Sequence, residues 1–356
     1  MNNFKLGKKK ISNISPTYFI ADIAANHDGS LSRAKKLIEL SAKAGANAAK
    51  FQHFKAETIV SKLGFDKMKK KAHQAKWKKS VFEVYKEASI NPEWTKELKK
   101  TCIKNNIDFM TAPYDLNYID QLQKHIMAFK IGSGDITWEE SLNKFSKKKV
   151  PIILATGASN LSEVKRAVKL LTRNNKKIIL MQCNTNYTNS IENFKYLNLN
   201  VLSSYKKLFK NKVILGLSDH TPGHVSVLGA VTLGAKVIEK HFTDDNKRNG
   251  PDHKFSMNPQ TWKEMVSSTR LLEAALGSGK KIIENNEKES AIVQRRAIWV
   301  VNKINKNQII KKNNLICLRP CPSGALDPFY LKKIIGKRAK KKLIPGNFIT
   351  KLCVKS

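Results

Sequence analysis

The 356-residue sequence has no apolar run of about 18 residues, so it lacks the segment a membrane-spanning helix needs. It also lacks an apolar stretch behind its basic first ten residues. Positions 11–16 are mixed and polar, which argues against a secretory signal peptide and leads us to expect a cytoplasmic protein with no membrane partner. Cysteine is scarce. Cys102, Cys183, Cys317, Cys321 and Cys353 are odd in number and scattered, with no pair at zinc-knuckle spacing, so reduced thiols are expected rather than a disulfide framework. Acidic residues are few, 28 against 66 lysines and arginines, which leaves a net charge of +38. Such an excess can serve a polyanion partner. Here lysine far outnumbers arginine and asparagine is abundant, a composition expected from AT-rich coding. The interleaved arginine and aromatic residues of nucleic-acid readers are missing, so no nucleic-acid partner is expected, although small anions would still be attracted. Finally, no glycine fingerprint follows the first apolar run at the spacing of a dinucleotide fold.

What is present is a repeated unit. Apolar runs at 18–25, 46–51, 108–110, 128–131, 151–154, 178–183, 213–217 and 235–238 each end in a polar or glycine-containing tip and are followed by helical patterning. In 30–44, for example, Leu31, Ala34, Leu37, Ile38 and Ser41 share one face, and 160–171 opens on Asn160 with Glu163 three residues on. Eight strand–helix units predict an α/β fold, a (β/α)8 TIM barrel, over residues 1–279, with an open doubly wound sheet as the alternative. The basic insertion 58–88, which contains Trp77, is expected as an extended loop after the second strand on the catalytic face. Residues 280–290 are polar and read as a linker. Residues 291–356, with short apolar runs at 297–301, 315–318 and 346–354, read as a small mixed β domain.

Barrel enzymes carry their chemistry at the C-terminal ends of the strands. His220 and His241 stand at the ends of the seventh and eighth, where two imidazoles could share a divalent metal or simply be hydrogen-bonded. Lys50 and Lys130, ending the second and fourth, lie inside apolar runs. A lysine there needs an anionic partner, either a structural carboxylate or a captured phosphate or carboxylate. Ser133, in the tip Gly132-Ser133-Gly134, would add donors to an anion. Asp22 is a lone carboxylate in the first strand, a general acid/base or a hydrogen-bonded strut.

Together these tips resemble the sialic acid synthase family, which makes N-acetylneuraminate, legionaminate and pseudaminate. The matching stretches are Ala21-Asp22-Ile23-Ala24-Ala25-Asn26-His27-Asp28-Gly29-Ser30, Lys50-Phe51-Gln52, Phe129-Lys130-Ile131-Gly132-Ser133-Gly134-Asp135, Ala155-Thr156-Gly157, Gly216-Leu217-Ser218-Asp219-His220-Thr221, Glu239-Lys240-His241-Phe242-Thr243 and Gly250-Pro251-Asp252-His253. In the tail, Arg295-Arg296, Arg319-Pro320 and Ile335-Gly336-Lys337-Arg338 resemble the antifreeze-like (SAF) domain of that family.

The resemblance implies a synthase that joins phosphoenolpyruvate to an N-acetylmannosamine-like amino-sugar aldehyde and releases phosphate by C–O cleavage. It implies that His220 and His241 bind a divalent metal, manganese or magnesium. Lys50, Lys130, Ser133 and Ser218 would hold phosphoenolpyruvate, Gln52, Tyr187 and Asp252 would lie near the sugar or metal, and Asp22 would handle protons. It further implies a domain-swapped homodimer in which Arg319 reaches the sugar of the other subunit. Asp22 stands where N-acetylneuraminate synthases carry a glutamate, Ala112 and Ala155 stand where some members carry hydroxyl residues, and segment 73–79 lacks the asparagine that contacts N-acetylmannosamine in some members. The alternatives are a synthase of a shorter 3-deoxy-ulosonic acid, against which the extra C-terminal domain speaks, and a non-catalytic carbohydrate- or polyanion-binding barrel.

Overall fold

The computed structural model describes residues 3–68, 74–75 and 77–355. Its strands are β1 (Asn3–Leu6), β2 (Lys9–Ser12), β3 (Tyr18–Asp22), β4 (Ala48–His53), β5 (Asp108–Pro113), β6 (Phe129–Ile131), β7 (Ile152–Ala155), β8 (Ile178–Cys183), β9 (Ile214–Asp219), β10 (Val237–His241), β11 (Ala297–Val300) and β12 (Leu315–Leu318). β3 to β10 close into a parallel eight-stranded barrel in chain order, with β10 pairing β3. The eight apolar runs of the sequence are these eight strands.

Period-2 alternation sends successive side chains to opposite faces of each strand. Tyr18, Ile20, Ala48, Met110, Ala128, Ile153, Ile179, Met181, Ile214 and Val237 form the cluster inside the barrel. The residues between them, such as Phe19, Ala21, Ala49, Phe109, Leu154 and Leu180, pack outward with the helices, including Ala34, Leu37 and Ile38 of the helix Leu31–Lys43. That helix starts at Ser30, whose side chain accepts from the Arg33 amide, and the helix Leu161–Leu171 starts with the capping box Asn160/Glu163.

The N-terminal segment is more than a basic tail. β1 and β2 form a hairpin whose Phe4, Leu6 and Ile11 join the inner barrel cluster. Its tip, Gly7, has φ +58°, and a Cβ there would fall 1.7 Å from Asp108 Oδ2, so only glycine fits. The insertion after β4 is largely helical instead of an extended loop, with helices Ala56–Ile59, Lys62–Met68 and Val81–Ala88. The last has a capping box, Ser80 with Glu83, a start signal present in the sequence. His73 and part of segment 73–79 lie outside the described residues.

The chain divides into two compact units, Met1–Gly277 and Ser278–Ser356. The second has its own core of Ile298, Val300, Ile304, Ile310, Leu315, Leu326 and neighbours around the antiparallel pair β11/β12. The stretch 280–290, read as linker, includes the turn Asn285–Glu287 and the start of the helix Lys288–Val293. All five cysteines are free, and no helix among the described residues is long and apolar enough to cross a membrane.

Candidate active site

Lateral register brings distant parts of the chain together at one rim of the barrel. Asp22 pairs across to both Lys50 and His241, and Ser218 pairs across to Glu239. Lys50 and Lys130 lie within β4 and β6 rather than at their ends, and both point into the barrel.

There the two lysines meet two carboxylates. Lys50 Nζ is 2.6 Å from Asp22 Oδ2 and 3.6 Å from Glu239 Oε1, and Lys130 Nζ is 2.5 Å from the same Glu239 oxygen. Gln52 Nε2 donates to Asp22 Oδ2 at 3.2 Å, and Ser218 Oγ donates to Glu239 Oε1 at 3.3 Å. All four charged groups are buried. Burial alone would neutralise the two acids, but Lys50 and Lys130 outweigh it and hold both below their ordinary pKa. The same contest, resolved by Asp22 and Glu239, holds Lys50 above its ordinary value.

His241 sits beside this cluster, its Nε2 3.5 Å from Asp22 Oδ2 and its Nδ1 3.8 Å from Asp252 Oδ2. Burial pushes its pKa down to about 3 and lowers that of His220, so both rings are neutral at pH 7. Their centroids are 5.5 Å apart, and the Tyr187 ring lies 4.3 Å from His220. Asp252 is pushed up to about 7, first by burial and then by Asp22, against the hydrogen bond it accepts from the Ala25 amide at 3.2 Å. Ser133 Oγ accepts from the Gly157 amide at 2.9 Å. A Cβ on Gly157 would come within 2.9 Å of that oxygen and 2.5 Å of Thr185 Cγ2, which accounts for the glycine.

The barrel thus brings together Asp22, Lys50, Gln52, Lys130, Ser133, Tyr187, Ser218, His220, His241 and Asp252. Arg319 is exposed and belongs to the second unit, immediately after β12. The donor set fits a divalent cation. His220 Nδ1 is 2.9 Å from the Asn184 carbonyl, which requires the hydrogen on Nδ1 and leaves Nε2 its lone pair, and His241 Nδ1 is buried without a hydrogen bond. Among the described residues no third histidine, cysteine or carboxylate completes a ligand cluster, so two imidazoles would be the protein's share.

Three comparisons bear on this geometry. The family model described as the NeuB family matches residues 37–281, and that of the SAF domain matches 295–355. The chain belongs to the NeuB family. It is 38% identical to the N,N'-diacetyllegionaminic acid synthase of Campylobacter jejuni, over 91% of this chain and 96% of that protein. It is 36% identical to an uncharacterised protein of Methanocaldococcus jannaschii, over 96% and 95% of the two chains. The crystal structure of an N-acetylneuraminic acid synthetase from Leptospira borgpetersenii, in complex with citrate, superposes with a TM-score of 0.71 at 29% identity, covering 81% of this chain and 95% of that one. This NeuB-family chain is therefore an enzyme of the sialic-type acid synthases, a barrel followed by a SAF domain.

In this NeuB-family chain the candidate site opens on a cavity of about 480 Å³ lined by Gln52, Ser133, Asp135, Tyr187, His241 and Asp252. An aromatic chain, Tyr114–Phe54–Tyr85–Trp77, with centroid spacings of 6.2, 5.6 and 6.4 Å, forms another part of its lining. Sequence reading missed Glu239, the carboxylate shared by both lysines, although it interrupts an apolar strand just as Asp22 does. It also missed Phe54 and Tyr85, whose role depends on how the insertion folds back.

Asp135 was missed too, and it yields a pH prediction. Burial pushes its pKa up to about 6, above the unfolded value of about 3.9. The folded state therefore binds the extra proton between these values, and stability falls as pH rises through that window. Asp135→Asn should be about 2 kcal/mol more stable than the parent at pH 8 and equal to it at pH 4 in urea unfolding. An equal effect at both pH values would contradict the burial of an ionising carboxyl.

Proposed function

We propose that this chain condenses phosphoenolpyruvate with the open-chain aldehyde of an N-acetylmannosamine-like amino sugar, giving a nonulosonic acid and phosphate. The observation that carries the reading is the meeting, at one barrel rim, of two buried ammonium groups with two neutral imidazoles beside a cavity of small-ligand size. Lys50, Lys130, Ser133 and Ser218 hold the phosphate and carboxylate, the anions competing with Asp22 and Glu239 for the ammonium protons. Gln52, Tyr187 and Asp252 face the sugar. A divalent cation, manganese or magnesium, held by His220 and His241 would supply Lewis-acid polarisation of the aldehyde oxygen.

In the reaction a bond forms from C3 of the enolpyruvate to the aldehyde carbon, whose oxygen takes up a proton to become a hydroxyl. Water adds at C2, and the C2–O bond to phosphate then breaks, leaving a ketone. Asp22, kept ionised by Lys50, takes the proton of that water. The lysines and serines stabilise charge on the departing phosphate. The aromatic part of the lining suits the methyl groups of N-acyl substituents, and the relative at 38% identity is named for a diacetylated product, so a diacetamido sugar is the favoured substrate. Arg319 acting from a second copy of the chain belongs to the same proposal, and an active species with the mass of one chain would remove it.

Phosphate release would be followed with manganese, phosphoenolpyruvate and one of three sugars. These are N-acetylmannosamine, the 2,4-diacetamido-6-deoxymannose precursor of legionaminate and the altrose-type precursor of pseudaminate. Turnover is expected with the legionaminate precursor. Turnover with another member of the panel would keep the reaction and change the sugar, and silence across the panel with folded, manganese-loaded protein would reject the reading.

A further inference from the structure

A second buried ion pair lies outside the cavity and is not used by the chemistry above. Lys240 Nζ is 2.5 Å from Asp219 Oδ2 and donates at 2.7 Å to the Thr221 carbonyl. Asp219 Oδ2 also accepts from Ser226 Oγ at 2.6 Å, and Asp219 Oδ1 accepts from the Thr221 amide and hydroxyl at 3.0 and 2.9 Å. The Lys240 and Asp219 side chains are 1% and 0% exposed. Neither residue lines the cavity. Alternation explains why. Glu239 and Ser218 point into the barrel, so Lys240 and Asp219, the next residues and partners in the β10/β9 register, point out toward the helix Val225–Thr232 that carries Ser226.

A buried ion pair is weak evidence for stability, since apolar residues of similar volume would often serve as well. This pair is notable for where its bonds go. Asp219 immediately precedes His220 and Thr221 immediately follows it, so one ammonium holds the residues on both sides of that imidazole. The same lysine is the backbone neighbour of His241. The ammonium therefore ties together the two strand ends that carry the proposed metal-binding rings.

We propose that Lys240 and Asp219 are positioning residues that set the separation of His220 and His241, and through it the affinity of this enzyme for a divalent cation. The inference rests on the metal reading above. Unlike the cluster of Asp22, Lys50, Glu239 and Lys130, this pair touches no part of the reaction space, so its effect must pass through the backbone of the two strand ends.

The test is a direct Mn2+ titration of the purified full chain, reading free Mn2+ by its EPR signal, with thermal melts on the same samples. The parent and His220→Ala set the range between binding and its loss. Lys240→Met is expected to raise the Mn2+ Kd about tenfold or more, and Lys240→Arg, which can still donate to both the carboxylate and the carbonyl, to recover most of that loss. A role confined to folding would lower the melting temperature of Lys240→Met and leave its Kd within twofold of the parent, and that result overturns the proposal. Should Lys240→Met not fold, Asp219→Asn, which keeps one oxygen as acceptor for Thr221 and removes the charge that Lys240 faces, is read in its place against the same threshold. A parent that binds no Mn2+, or a His220→Ala protein that binds as the parent does, overturns the metal reading and the positioning role with it. Parental binding with unchanged Kd in the pair variants overturns the positioning role alone.

Discussion

Lys50→Met should abolish turnover and lower the unfolding free energy by about 3–5 kcal/mol at pH 8, because it leaves two buried carboxylates short of one ammonium. Lys50 and Asp22 are each 2% exposed and 2.6 Å apart, and Glu239 is 3.6 Å away. In the parent, attraction wins over desolvation and both acids sit below their ordinary pKa. Without Lys50 the largest remaining influence on Asp22 is burial, which raises its pKa. A carboxyl with a raised folded pKa loses stability progressively as pH rises from its unfolded to its folded pKa and carries the full penalty above the latter, so the penalty should be larger at pH 8 than at pH 5. Adding Asp22→Asn should recover part of the stability and none of the activity, since the anion-binding ammonium is still missing. Urea unfolding of the two variants at both pH values, with phosphate release, checks each arm. A Lys50→Met protein as stable as the parent at pH 8 would mean that the pair is solvated in solution.

His241→Ala and His220→Ala should each reduce turnover by about a thousandfold or more, the factor that several kcal/mol of Lewis-acid stabilisation represents. Stability should change much less, by about 2 kcal/mol at most. Both rings are neutral, and His241 Nδ1 is a buried nitrogen without a hydrogen bond, so its removal relieves as well as costs. A chelator should reproduce the loss in the parent, and manganese should restore it there but not in the variants. Full activity in the chelated parent would end the metal reading and leave the two imidazoles as hydrogen-bonding groups.

Most of the fold, and many of the residues that gather at the candidate site, could be read from the chain alone because the signals are local. Apolar runs with polar tips mark parallel strands and the residues at their ends, and a lysine or carboxylate inside such a run, as at Lys50, Lys130 and Asp22, signals a buried charge in need of a partner. The partners themselves are not local. That Lys50 and Lys130 share Glu239, from strands distant in sequence, follows only from closure of the barrel and its register. The hairpin that fills one end of the barrel escaped notice because Phe4, Leu6 and Ile11 are diluted among lysines. The helix Val81–Ala88 escaped notice although its capping box is written in the sequence.

The sequence by itself determined the strand–helix repeat, the second unit and the identities of most groups at the rim, since period-2 alternation and the cost of burying charge act residue by residue. Tertiary structure alone decided which ammonium meets which carboxylate, that His220 and His241 stand 5.5 Å apart as neutral rings, and that Lys240 turns outward to bond both neighbours of His220. Those outcomes depend on distance and desolvation between segments that only the closed barrel brings together.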